Sequence, residues 1–208
     1  RQVLHLRREH GVTLPLLFMN SFRTQDDTLR ALATYPDLAV DGLPLDFVQN
    51  REPKLAADTL EPIEWPDDPA LEWCPPGHAD LYPVLRSSGV LDSLIERGYR
   101  YVFSANADNL GAVLDPRIPA WMAAHEIPFV MECARRTPAD QKGGHLAVRR
   151  RDRRLVLRES AQTSSEDTAL MQDLSRHRYW ARSFVGWRRM DQAQPNEAHR
   201  ILARWAAE

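Results

Sequence analysis

Short apolar runs that end in polar groups constrain this chain more than any other feature. Leu14–Met19 is a continuous apolar stretch closed by Asn20-Ser21. Leu45–Gln49 and Tyr101–Ala105 repeat the pattern, closed by Gln49 and by Asn106 with Asp108, and Ile127–Cys133 adds a further run. Strands buried on both faces of a parallel sheet read this way. Helical segments lie between them. Thr24 caps one, with Asp27 three residues on and Tyr35-Pro36 as its stop; Ser88 starts another that stops at Gly98; Pro116 opens a third that runs to about His125. Ser165 caps a last helix through Leu174. This alternation predicts an α/β fold, with a mostly parallel sheet and helices on both faces. Ligands in such sheets gather beyond the carboxyl ends of the strands. Asn20, Gln49, Asn106 and Asp108 all stand at predicted strand ends.

Two segments depart from the alternation. Glu52 to Asp68 is rich in Pro and acid and has no periodicity, which predicts a long ordered loop; such loops usually serve function. His145–Val148 and Leu155–Arg158 flank Arg149–Arg154 and predict a small antiparallel β-hairpin. From about Tyr179 onward the chain carries Trp180, Trp187 and Trp205 among many Arg, Ala and Gln, with no clear strand. Arg1–His10 looks like the end of a helix, with Gly11 as its stop, so further sequence is expected upstream.

Composition narrows the function. At 208 residues the chain is long enough for one domain, or most of one. A net charge of −2 gives no global case for nucleic acid or membrane binding, and no apolar run is long enough to span a bilayer. Cys74 and Cys133 are too few for a disulfide framework, and a reducing cytoplasm is the default reading.

The chemistry concentrates in two blocks, Glu72–Tyr82 and Phe103–Gly111. In Pro75-Pro76-Gly77-His78-Ala79-Asp80, two prolines fix the entry and Gly77 lets a ligand approach the backbone. A flat base could lie there, with His78 donating to a phosphate or ribose; equally, His78 packs beside the helix that follows. Asp80 reads as a first-turn helix acid. In Asn106-Ala107-Asp108, a carboxylate just past a buried strand suits a hard cation such as Mg²⁺, which takes few protein ligands when phosphate and water supply the rest. Asn106 points to the same side and could bond a sugar hydroxyl. The competing reading makes Asp108 and Asn109 mere turn formers. Lys142-Gly143-Gly144 either brings backbone close to a ligand or simply turns into the hairpin. The Arg149–Arg154 run either attracts polyanions or is a solvated cluster, and the near-neutral net charge favours the second. Gln49 could make paired hydrogen bonds with a pyrimidine edge.

Taken in order, these blocks resemble the UTP–glucose-1-phosphate uridylyltransferases (UDP-glucose pyrophosphorylases) of the eukaryotic-like type. The resemblance runs from about Gly11 to Thr168. It rests on Pro15–Thr24, Phe47–Pro53, Pro75–Tyr82, Ser104–Gly111, Met131-Glu132 and Ala139–Gly144. It implies a Rossmann-like, nucleotide-diphospho-sugar transferase fold of the GT-A-like kind. It also implies a cytoplasmic, Mg²⁺-dependent nucleotidyltransferase that makes UDP-glucose and pyrophosphate from UTP and glucose 1-phosphate. By the same resemblance, Gln49 and Gly77 read the uracil, Met19 lines that pocket and His78 sits by the nucleotide. Asn106 bonds ribose or glucose, Asp108 holds the metal, and Glu132 and Gly144 lie near the glucose. No residue is implied as a covalent catalyst. UTP, UDP-glucose and glucose 1-phosphate are the expected partners, with no nucleic acid or membrane; no oligomeric state follows.

The family's Gly-rich nucleotide loop is absent before Leu14, and Trp180–Phe184 stands where the family has an Asn-rich block. The expected organisation is therefore a partial catalytic domain over 1–178 and a divergent tail over 179–208. Two alternatives stay open: a catalytically incompetent fragment that binds uridine nucleotide at most, and a UDP-N-acetylhexosamine or broad UDP-sugar pyrophosphorylase.

Overall fold

The computed structural model describes residues 1–138 and 144–190. Lys142 and Gly143, and the tail beyond Met190, lie outside the described residues. The chain divides into two compact units, whose described parts are Arg1–Arg100 and residues 101–138 with 144–190.

The first unit opens with helix α1 (Gln2–His10), which ends at Gly11 as the sequence predicts. Arg7 fastens this helix: its guanidinium donates to the carbonyls of Leu14 (2.8 Å), Asp37 (2.6 Å) and Leu38 (2.9 Å). Strand β1 (Phe18–Asn20) follows, then α2 (Gln25–Leu32) and β2 (Asp46–Val48). β1 and β2 pair in parallel, with Met19 opposite Phe47. Thr24 holds the N-cap position of α2, but its Oγ1 bonds Ser21 N (3.0 Å) rather than a helix amide. The loop after β2 is ordered: β3 (Glu52–Pro53) pairs antiparallel with β4 (Trp73–Cys74), and Leu55 bridges Pro62. Next come α3 (Leu81–Ser87) and α4 (Val90–Glu96). The helix expected after Asp80 is α3, where Pro83 is tolerated because it falls in the first turn; the helix expected from Ser88 is α4, which starts two residues later, after Gly89 in a left-handed conformation. Leu32, Phe47, Val84, Leu85, Val90 and Leu94 are buried in this unit.

The second unit runs through β5 (Tyr101–Ser104), α5 (Arg117–Ala124), β6 (Phe129–Arg135), β7 (Gly144–Val148), β8 (Leu155–Arg158), α6 (Ser165–Gln172) and β9 (Tyr179–Arg189). The β7–β8 hairpin forms in the expected place, with His145 opposite Arg158 and an Arg149–Asp152 ion pair at its tip. Ser164, one residue before the expected cap, caps α6 by accepting from Asp167 N. Buried Arg136 closes the other end, donating to Met171 O at 3.0 Å.

The α/β class holds, but the expectation of a mostly parallel sheet needs correction. Every pairing in the five-stranded sheet is antiparallel, because all of them involve β9 or the hairpin. β5 and β6, joined through α5, do run parallel to each other; β9 fills the space between them. Nor is the stretch from Tyr179 strandless. Its arginines break the apolar signature that marks a buried strand, so β9 is set by its neighbours rather than by its composition.

Candidate functional site

Each unit holds its own group of predicted residues. In the first, β1 carries Met19 and ends at Asn20, whose carbonyl accepts from Gln49 N–H at 2.8 Å. Asn20 is itself buried and fixed: its Nδ2 donates to Asp46 Oδ2 (3.0 Å) and its Oδ1 accepts from Thr28 Oγ1 (2.9 Å). Gln25 Nε2 donates to the same Asp46 oxygen at 2.9 Å. One residue past Gln49, Asn50 donates twice to Asp80, from its backbone N (2.6 Å to Oδ2) and its Nδ2 (2.8 Å to Oδ1). Asp80 N–H in turn donates to Gly77 O at 3.2 Å. A chain of hydrogen bonds therefore gathers the segments bearing Met19, Gln49, Gly77 and His78, as their positions at strand ends and in the Pro-Pro-Gly-His turn predict.

Two details of this group concern a ligand. Gln49 Oε1 is buried and, among the described residues, meets no hydrogen-bond donor. Such an acceptor costs about 1–3 kcal/mol when left unsatisfied. Gly77 has φ 108° and ψ −169°, a conformation closed to other residues, and a Cβ built on it would meet nothing within 4 Å. Its backbone is open on the side a side chain would cover. His78 is exposed at the start of the 3₁₀ turn His78–Asp80. Asp80 is the residue that sequence reasoning undervalued. It stands at the N-cap of α3, yet its side chain makes no cap hydrogen bond and serves Asn50 instead. No local pattern reveals a partner thirty positions away.

In the second unit, strand register places the remaining residues. Ser104, the end of β5, and Met131 of β6 both pair with Gly186. Cys133 of β6 and Gly144, the first residue of β7, both pair with Ala181. Between these two rows β6 contributes only Glu132, while β9 contributes 182–185, so a wide bulge lies there. β5 and β7 share one edge of β9, and the turn carrying Asn106 and Asp108 leaves that edge at the level of the bulge. Glu132 and Gly144 thus border one stretch of β9, while Asn106 and Asp108 follow the end of β5. Asn106 O accepts from Asn109 N–H (3.1 Å) in a turn, and Asp108 is exposed. Glu132 is exposed also; burial and then the Glu132 charge raise the Cys133 thiol above its ordinary range. Gly144 has a packing reason of its own, since a Cβ there would lie 2.7 Å from Leu157 Cδ1 and from Glu159 Oε1.

Among the described residues no three His, Cys, Asp or Glu side chains gather as a metal cluster. A lone exposed Asp108 past a strand end fits Mg²⁺ that keeps water and phosphate oxygens as its other ligands, and does not fit an all-protein cage. No helix among the described residues is long and apolar enough to cross a membrane.

Residues 1–194 match the family described as UTP–glucose-1-phosphate uridylyltransferase. A probable UTP–glucose-1-phosphate uridylyltransferase of Schizosaccharomyces pombe is 41% identical over 147 residues, 70% of this chain and 29% of that protein. The Solanum tuberosum enzyme is 39% identical over 147 residues, 70% of this chain and 30% of its own length. Among solved structures, the Trypanosoma brucei UDP-glucose phosphorylase superposes with a TM-score of 0.85 at 41% identity, covering 96% of this chain and 44% of that one. A variant of the Leishmania major UDP-glucose pyrophosphorylase, solved in complex with UDP-glucose, gives 0.81 at 40% identity, over 98% and 44%. The matched span is thus about 30% of the length of these curated relatives.

Proposed function

The chain belongs to the UTP–glucose-1-phosphate uridylyltransferase family, and from that premise we propose that it forms the uridine-reading and sugar-phosphate-facing part of an enzyme that makes UDP-glucose and pyrophosphate. The observation that carries this reading is the buried Gln49 Oε1, which meets no donor among the described residues. A uracil offers an N–H donor at N3 flanked by two carbonyls. The Gln49 amide supplies the complement: Oε1 accepts from N3–H and Nε2 donates to a neighbouring carbonyl. The open face of Gly77 lets the ring lie against backbone, Met19 lines the same group, and His78 stands by the ribose or phosphates.

In the second unit, Asn106 bonds a sugar hydroxyl, with Glu132 and Gly144 toward the hexose. Asp108 holds Mg²⁺, which when bound neutralises phosphate charge. The reaction is in-line displacement: an oxygen of the sugar phosphate forms a bond to the α-phosphorus of UTP as the bond to pyrophosphate breaks. The chain's own residues contribute positioning, and no covalent intermediate on the protein is required. We place Tyr179–Arg189 with the catalytic domain portion, because β9 pairs with β5, β6 and β7. The divergent tail then begins after it. The cytoplasm is the proposed compartment.

Calorimetric titration of the 208-residue chain with UDP-glucose, with and without Mg²⁺, tests this. Saturable binding that Gln49→Ala weakens in both conditions, and that Asp108→Ala weakens only with Mg²⁺, is expected. Binding that is indifferent to Gln49→Ala would remove the basis of the assignment.

A further inference from the structure

We infer that Asp80 is a positioning residue whose clamp on Asn50 fixes the direction in which the Gln49 amide meets a pyrimidine. The inference rests on the uracil-reading role proposed for Gln49. Asp80 is only 8% exposed, and both its oxygens accept from one residue, the immediate neighbour of Gln49. Hydrogen bonds to a carboxylate are stronger than neutral ones, and two from one partner set orientation as well as distance.

The other side of Gln49 is held too. Gln49 N–H donates to Asn20 O, and Asn20 is locked by Asp46 and Thr28. The consecutive N–H groups of Gln49 and Asn50 are therefore both tied, to Asn20 and to Asp80, which fixes the backbone from which the Gln49 side chain leaves. Asp80 N–H also closes the turn from Gly77. Asp80 is thus the joint between the segment that reads the ring edge and the segment that lies under the ring. A helix-capping duty would explain an Asp at this place, but its side chain caps nothing.

The consequence is base discrimination. A buried acceptor held in place favours a ring that offers N–H at position 3, as uracil does, and disfavours cytosine, whose N3 is itself an acceptor. If the clamp loosens, the amide can turn its NH₂ toward N3, and the preference relaxes. A purely structural role would lower stability and leave the ratio of the two affinities alone.

The test uses the whole chain with UDP and CDP as probes, read by calorimetry, together with amide hydrogen exchange in the absence of ligand. The Asn50 amide is expected to be protected, with exchange accelerating at least about tenfold in Asp80→Ala. The UDP-over-CDP affinity ratio is expected to fall roughly tenfold in Asp80→Ala. It should fall likewise in Asn50→Asp, which sets two carboxylates face to face. It should recover in the double variant Asn50→Asp/Asp80→Asn, where an amide again faces a carboxylate with the roles exchanged. This pair keeps the question answerable should Asp80→Ala fail to fold. An unprotected Asn50 amide, or UDP binding with an unchanged ratio in both single variants, would overturn the inference alone. Failure of the wild-type chain to take up either nucleotide, with Asn50 protected, would overturn the Gln49 reading and this inference with it.

Discussion

A side chain at Gly77 would point into open space, whereas one at Gly144 would run into Leu157 and Glu159. Both glycines follow the same logic in the sequence, as places where a ligand comes near the backbone. In the first region the glycine is required by its φ of 108° and leaves a face uncovered; in the second the neighbouring strand of the hairpin fills that face. The regions also differ in how they hold polar groups. Around Gln49, Asn20 and Asp80 are buried and bonded on both sides, while Asp108 stands exposed in a turn. The first region is held by hydrogen bonds within the protein; the second presents Asp108 and Glu132 to solvent.

The largest effect should come from filling Gly144. Gly144→Val is expected to cost about 3 kcal/mol of stability, the upper part of the usual overpacking range, in urea unfolding. An unchanged midpoint would mean that the hairpin gives way and that the contrast with Gly77 is false. Gly77→Val should also strain the backbone, by roughly 1–3 kcal/mol. Its distinguishing mark is a UDP dissociation constant raised about tenfold in protein that still folds. Gly144→Val should leave UDP affinity per folded molecule unaltered.

A smaller effect sharpens the contrast between the bonded and the exposed region. Asp108→Asn should reduce the enhancement of UTP binding by Mg²⁺ roughly fivefold, a loss of about 1 kcal/mol, and leave metal-free binding untouched. Smaller still, Glu132→Gln should lower the Cys133 thiol pKa, because burial and then the Glu132 charge hold it up. Faster alkylation of Cys133 at fixed pH would register the change; an unchanged rate would show that the Glu132 charge faces elsewhere. Smallest is the Asp115 carboxyl before α5, which the Arg117 guanidinium and backbone N–H hold down at about 2, from an ordinary 3.8. With the folded value depressed, its contribution is full above 3.8 and disappears as pH falls through about 2. Carbon NMR titration should give that low midpoint, returning to the ordinary value in Arg117→Ala.

Where the sequence was legible, local rules governed. The end of α1 at Gly11, the end of β1 at Asn20, Gln49 just past β2, and the β7–β8 hairpin follow from stops, short apolar runs and turn residues. Asp80 and Ser88 mark the starts of α3 and α4, which Gly89 separates in a left-handed conformation. β9 was hidden. A strand with partners on both edges gains its hydrogen bonds from β5, β6 and β7, so its own composition need not announce it.

The sequence by itself determined the α/β class, the polar groups at strand ends and the family likeness, because these depend on residue order along short stretches. Only the tertiary structure decided that Asp80 serves Asn50 and not its own helix, and that Gly77 is open while Gly144 is packed. Only there does it emerge that Glu132 and Gly144 border one bulge of β9. Each of these depends on which distant segment arrives next to a residue, and hydrogen bonds spanning thirty positions leave no period in the sequence.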